Sequence, residues 1–193
     1  MLVWIVVIVV SIFADQLTKQ LVVNFLDKNE PFELIPGVFR FTYVENRGAA
    51  FGMLDDKRWV FMIISTVAII GLFVYMWKFC RNNKMLSFGL SLIIGGGIGN
   101  MIDRTLRTGE IFEGENVVVD FIDFYAFPDL WNAIFNVADS FVCVGAGLLI
   151  LWCIIATVQE SKAEKLAKAQ KLAEAAEKAT EEEKDTDAEN RDS

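Results

Sequence analysis

Four apolar stretches decide what this chain can fold into: about residues 2–23, 59–79, 88–102 and 137–158. A helix rises 1.5 Å per residue, so about 20 such residues cross the roughly 30 Å hydrocarbon core of a bilayer. The third stretch is short and rich in glycine. Of the 193 residues, 54% are hydrophobic, more than an ordinary soluble domain carries. The expected fold is an α-helical integral membrane protein with four transmembrane helices. A cleaved signal peptide is the competing reading of the first stretch. It lacks a basic leading segment and a small-x-small site before Asp15, so residues 2–23 are read as a span.

Orientation follows from the short connections. Lys78 at the end of the second stretch and Arg81 and Lys84 after it make the connection to the third basic, with no acid among them, and Lys162, Lys165, Lys168 and Lys171 follow the fourth. Both segments read as cytoplasmic under the positive-inside rule. Both termini then lie inside, and the long connections, about 24–58 and 103–136, lie outside. Trp59 and Trp77 bracket the second stretch at interface depth.

The formal net charge is -8, but much of the acidity lies in Glu181 to Asp192. The charge therefore describes a tail, and nothing resembles a nucleic-acid footprint. Residues 1–158 are read as the membrane domain and 159–193 as a charged cytoplasmic tail. Ala, Lys and Glu favour helix in that tail to about Ala179, and disorder is expected from Glu181. Cys80, Cys143 and Cys153 lie on or beside apolar runs. The last two are about 15 Å apart along one helix, too far to bridge, and all three read as small hydrophobes.

The outer connections carry their own pattern. From Val38 to Glu45, Phe39, Phe41 and Tyr43 alternate with Arg40 and Thr42, the signature of a half-buried strand. Pro36-Gly37 before it is a turn signal. A small β-sheet in the extracytoplasmic part is expected. Residues 105–116, with three glutamates and two glycines, read as an exposed insertion.

Polar residues converge at one depth on this topology. Asp15 and Lys19 are four apart and share a helix face near the outer end of the first span. Asn100, Asp103 and Arg104 share a face at the outer end of the third. Asn136 and Asp139 open the fourth, and Asp120 lies in the outer loop leading to it. Flipping the whole topology moves them together and keeps the convergence. Charged residues also serve as interfacial anchors at span ends, and Asn46-Arg47-Gly48 has the composition of an ordinary turn. A carboxylate in or beside lipid is costly, however, and marks a functional site. The chain has no histidine, so carboxylates would have to supply any acid–base chemistry.

Five segments carry a family resemblance. They are Asp15-Gln16-Leu17-Thr18-Lys19, Glu45-Asn46-Arg47-Gly48-Ala49-Ala50-Phe51-Gly52, Gly99-Asn100-Met101-Ile102-Asp103-Arg104, Val118-Val119-Asp120-Phe121 and Phe135-Asn136-Val137-Ala138-Asp139-Ser140. In this order on a four-span chain, they resemble the bacterial lipoprotein signal peptidase family (signal peptidase II) over roughly residues 1–158. The resemblance implies an intramembrane aspartyl peptidase of the bacterial inner membrane. Such enzymes cut diacylglyceryl-modified prolipoproteins just before the lipid-modified cysteine. By motif match, Asp120 and Asp139 are the catalytic pair. Asp15, Lys19, Asn46, Arg47, Gly48, Asn100, Arg104, Asn136 and Ala138 fall at positions that support the site or bind substrate. The resemblance further implies a small sheet on the outer face, membrane lipid around the chain, and globomycin-type cyclic peptides as inhibitors. No cofactor, metal or nucleic acid is expected, and the chain is read as a monomer. Two features depart from the family pattern: a longer segment between Arg104 and Val119, and a longer charged tail.

Two carboxylates can hydrolyse a peptide without a metal or a covalent nucleophile. Sharing a site, they cannot both ionise cheaply, so one stays protonated and serves as acid while the other takes a proton from water. Two other readings stand beside this one at the level of sequence. Lys19 and Ser140 are a candidate base and nucleophile. Asp15, Asp103 and Asp139 are a candidate proton relay in a small carrier, although the polar residues gather at one end of the spans and not across them.

Overall fold

The computed structural model describes residues 1–47, 58–80, 82–126 and 132–189. In chain order the elements are α1 (Leu2–Phe25), β1 (Phe32–Ile35), β2 (Phe39–Asn46), α2 (Arg58–Phe79), α3 (Lys84–Leu106), β3 (Val118–Phe124), β4 (Ile134–Phe135) and α4 (Val137–Glu189). Residues Met1–Leu149 form one compact unit, and Ile150–Ser193 a second in which the described residues are all helical.

The helices α1, α2, α3 and the Val137–Lys168 part of α4 are each long and apolar enough to cross a membrane. Large apolar side chains such as Phe13, Trp59, Ile63 and Val67 are exposed on α1 and α2. That is the arrangement expected where lipid is the solvent, because a helix satisfies its own backbone and needs only apolar contacts outside. The third span reaches beyond the expected 88–102 at both ends. Asn83 caps its start, accepting the Leu86 N–H at 3.0 Å. At its far end Asp103 and Arg104 remain helical because their side chains find polar partners. In the tail, α4 continues to Glu189. No glycine or proline interrupts residues 159–193, and Ala, Glu and Lys are strong helix formers.

Within Met1–Leu149, α3 is the buried helix, and its glycines set how closely its neighbours approach. A Cβ on Gly95 would meet Ser11 Cβ of α1 at 2.6 Å, and one on Gly96 would overlap the Ala138 carbonyl of α4. A Cβ on Gly99 would lie 2.5 Å from Asp15 Oδ2. Backbone therefore packs against backbone, the role small residues play between membrane helices. The glycine-rich Gly95–Gly99 stretch thus brings the polar ends of α1, α3 and α4 together.

The four strands form one antiparallel sheet in the order β1-β2-β3-β4. The strand expected at 38–45 is β2. The turn before it uses Gly37 at φ +77°, where its N–H donates to the Tyr125 hydroxyl at 2.6 Å; such a φ suits glycine. Across β2 and β3, Val44 pairs with Asp120, Glu45 with Val119 and Asn46 with Val118, after a register shift between Phe41 and Val44. Tyr43, Val119 and Phe121 form a buried cluster against Val22, Val23 and Leu26 at the end of α1. This packing pins the sheet to the helices and fixes where Asp120 stands.

Candidate active site

Asp120 lies in β3 and is 4% exposed. Its Oδ1 accepts from Asn136 Nδ2 at 2.7 Å, and its Oδ2 from Asn46 Nδ2 at 2.9 Å. Asp139 is the third residue of α4. Its Oδ1 accepts from Asn100 Nδ2 at 2.8 Å, and its Oδ2 from the Asn136 backbone N–H at 3.2 Å. Asn136 Oδ1 in turn accepts the Asp139 N–H at 3.0 Å. The two residues thus form a reciprocal cap at the start of α4, with aspartate in the place that glutamate or glutamine usually fills. Asn136, fully buried, also donates to Asn100 Oδ1 at 3.0 Å. One asparagine therefore bonds both carboxyl groups, and a second, Asn100, joins the ring.

Beneath the pair lies a buried ionic network. Lys19 Nζ donates to Asp15 Oδ2 at 2.9 Å and Asn100 Oδ1 at 2.8 Å, and forms an ion pair with Asp103 Oδ2 at 2.9 Å. Asp15, Lys19 and Asp103 have no exposed side-chain surface. Asp15 Oδ1 accepts the Ala138 N–H at 3.0 Å, which ties α1 to the first turn of α4. Arg107 Nε pairs with Asp103 Oδ1 at 2.9 Å, so two cations balance two carboxylates. Such a network is costly to break, since removing one member strands a charge out of water.

Burial pushes the Asp120 carboxyl up to about 7, and the neighbouring charge of Asp139 adds to the rise. The amide donors of Asn46 and Asn136, and Lys19 beyond them, resist it by favouring the charged form. A carboxyl group poised near neutrality can both give and take a proton under working conditions. Arg104 lies within electrostatic reach of both aspartates, and its guanidinium stacks over the Phe61 ring of α2 at 4.9 Å.

Most residues singled out from the sequence thus meet here: Asp15, Lys19, Asn46, Asn100, Arg104, Asn136 and Ala138 around Asp120 and Asp139. Arg47 contacts the 105–116 insertion, lying over the Phe112 ring at 4.2 Å and pairing with Glu115 at 3.4 Å. Gly48 lies outside the described residues. Lys19 is held by Asp15, Asn100 and Asp103, and Ser140 Oγ donates to the Asn136 carbonyl at 3.1 Å. That arrangement disfavours a Ser–Lys pair.

A family model, Signal peptidase (SPase) II, matches residues 7–155. The chain belongs to the signal peptidase II family. It is therefore a peptidase built as a multi-pass membrane protein. It is 42% identical over 167 residues to a lipoprotein signal peptidase of Halalkalibacterium halodurans, covering 86% of this chain and all of the relative. A lipoprotein signal peptidase of Caldanaerobacter subterraneus subsp. tengcongensis is 46% identical over 145 residues, 75% of this chain and 91% of its own. A bacterial membrane enzyme solved by the in meso method at 2.3 Å resolution superposes with a TM-score of 0.71 at 31% identity. That match covers 81% of this chain and 90% of the other.

Three side chains of this signal peptidase escaped the sequence reading of the site. Gln16 Nε2 donates to Asp15 Oδ2, to the Gly99 carbonyl and to Asp103 Oδ1, each at 3.1 Å. Its place beside Asp15 in an otherwise apolar helix was the available signal. Arg107 follows Asp103 by four residues, the spacing of a helical ion pair. Glu45 shares the buried face of β2 with Tyr43, which its i, i+2 spacing foretells, but its partners come from the insertion, and no local pattern points to them.

Proposed function

We propose that this signal peptidase is an aspartyl endopeptidase with Asp120 and Asp139 as its catalytic pair. Its substrates are diacylglyceryl-modified prolipoproteins, and the cut falls just before the lipid-modified cysteine. The observation that carries this reading is the attachment of both carboxyl groups to Asn136, through its side chain on one side and its backbone on the other. The relatives' designation as lipoprotein signal peptidases supports the substrate class.

In this mechanism the pair shares one proton, held by Asp120. Asp139 takes a proton from a water molecule as its oxygen attacks the scissile carbonyl carbon, and Asp120 gives its proton to the carbonyl oxygen. The resulting diol collapses. One hydroxyl proton returns to Asp120, the C–N bond breaks, and Asp139 delivers its proton to the departing amine. The products are a signal-peptide carboxylic acid, which ionises once released into water, and a free amine on the modified cysteine, and the pair is restored. Asn46, Asn100 and Asn136 hold the carboxyl groups, while Asp15, Lys19 and Ala138 hold the helix ends beneath them. Arg104, Arg47 and Gly48 are assigned to the substrate side, and globomycin-type cyclic peptides to the same site.

The basic residues between α2 and α3 and after the fourth span support a site near the outer leaflet of the inner membrane, with both termini and the charged tail in the cytoplasm. The enzyme is taken to act as a monomer. Mass spectrometry of a lipidated prolipoprotein after incubation with the purified enzyme tests the reading. A product that begins at the modified cysteine with a free amine is expected. An intact precursor, or a cut elsewhere, refutes it.

A further inference from the structure

The insertion between α3 and β3 is fastened to the strand that supports the Asp120–Asp139 pair. Glu45 Oε1 accepts the Glu110 N–H at 2.7 Å, and Oε2 accepts the N–H groups of Ile111 and Phe112 at 3.0 Å each. The Tyr43 hydroxyl donates to Oε1 at 2.9 Å. This carboxylate is 6% exposed. Burial pushes its pKa up, but the three backbone donors and the tyrosine outweigh that and hold it below the usual carboxylate range. Hydrogen bonds to a charged acceptor are the strong kind. Gly109 closes the contact: a Cβ there would lie 2.5 Å from Oε2.

The fastening continues on both sides. Arg47 stacks over Phe112 and pairs with Glu115. Lys28 pairs with Glu110 and lies over the Tyr43 ring at 5.5 Å. Between Glu45 and Arg47 stands Asn46, which donates to Asp120 at 2.9 Å.

We infer that Glu45 is a positioning residue for the catalytic pair: by gripping three consecutive amides of the insertion it fixes the end of β2, so that Asn46 keeps its hydrogen bond to Asp120. The inference rests on the aspartyl reading and adds to it a task for the insertion. The alternative is that Glu45 merely anchors a surface loop.

The pH dependence of turnover separates the two. Asp120 is faced by Asn46 from β2, Asn136 and Asp139 from the start of α4, Lys19 from α1 and Arg104 from α3. Glu45 is faced by Tyr43 and by the amides of Glu110, Ile111 and Phe112, and the charges of Glu110 and Arg107 act on the Tyr43 hydroxyl beside it. Asn46 favours the charged form of Asp120, so loosening Asn46 raises the pH at which Asp120 loses its proton. Removing the Glu45 charge through space alone would lower it. The opposite signs make the direction decisive.

Measure kcat, KM and the alkaline midpoint of kcat with pH for the full-length wild-type enzyme, Glu45→Gln, Gly109→Ala, Asn46→Ala and Asp120→Asn, cleaving a lipidated prolipoprotein. Glu45→Gln and Gly109→Ala are expected to lower kcat by about ten- to a hundredfold, the scale of a misplacement near 1 Å. KM should change less than twofold, and the midpoint should rise, as in Asn46→Ala. Gly109→Ala keeps the Glu45 charge and tests position by itself. Wild-type kcat in either variant, a fixed or lowered midpoint, or loss of fold in both overturns the inference. Asp120→Asn keeps the two levels apart. If it turns over normally, the aspartyl reading fails; if it is inactive while Glu45→Gln behaves as wild type, only the positioning role fails.

Discussion

Asn136 and Asp139 cap one another: the Asn136 N–H donates to Asp139 Oδ2 at 3.2 Å, and the Asp139 N–H to Asn136 Oδ1 at 3.0 Å. The start of α4 and the geometry of the Asp120–Asp139 pair are therefore one construction, because the same asparagine amide holds Asp120 at 2.7 Å. Asn136→Ala removes a helix cap, costing about 1 kcal/mol. It also removes a donor from Asp120. We expect a modest loss of thermal stability in detergent and a fall in kcat of at least about a hundredfold. A variant with wild-type kcat would show that the asparagine serves the helix alone.

Turnover is predicted to fall as pH rises through about 7. Asp120 must hold a proton to act as acid, and burial together with Asp139 places its loss near that value. A pH series of kcat/KM under conditions that keep the enzyme folded checks this. A profile flat from pH 6 to 9 would remove Asp120 from the acid role.

The same shift has a consequence for stability. Asp120 binds its proton more tightly folded than unfolded, where its pKa is about 3.9. The stabilisation from that proton is present at low pH and is lost as pH rises through about 7. Asp120→Asn has no such loss. The variant should therefore gain on wild type by on the order of a few kcal/mol between pH 4 and pH 8. Thermal unfolding of both proteins at the two pH values measures the difference, and an equal gap at both contradicts it.

Lys19→Met is expected to destabilise the protein by about 3–5 kcal/mol, because it removes the cation that bridges the buried Asp15 and Asp103 side chains. Adding Asp15→Asn should recover part of the loss, since Asp15 is paired with Lys19 while Asp103 keeps its pair with Arg107. Chemical or thermal unfolding of the single and double variants provides the comparison. Near-wild-type stability of Lys19→Met would mean that the network is not a structural element.

Much of this site was legible in the sequence because its signals are local or intramembrane. Asp15 and Lys19 are one helical turn apart, and charges in apolar runs are conspicuous where burial is so costly. Gly95–Gly99 announces close helix packing. The long-range partnerships were not legible. Glu45 finds amides some 65 residues away, as in its bond to Glu110, and only folding brings them together. The extra length of α3 came from a cap at Asn83 and from partners for Asp103 that no hydropathy pattern records.

The double-mutant cycle of Asp120→Asn and Asp139→Asn, read as single-turnover cleavage of a lipidated prolipoprotein, tests the central claim most directly. Residues that act as a unit are not additive. Each single variant should lose at least about a thousandfold in rate, with its fold intact, and the double variant should be no slower than the slower single. Either single variant cleaving near the wild-type rate, or two losses that simply multiply, would contradict a shared role for the two aspartates.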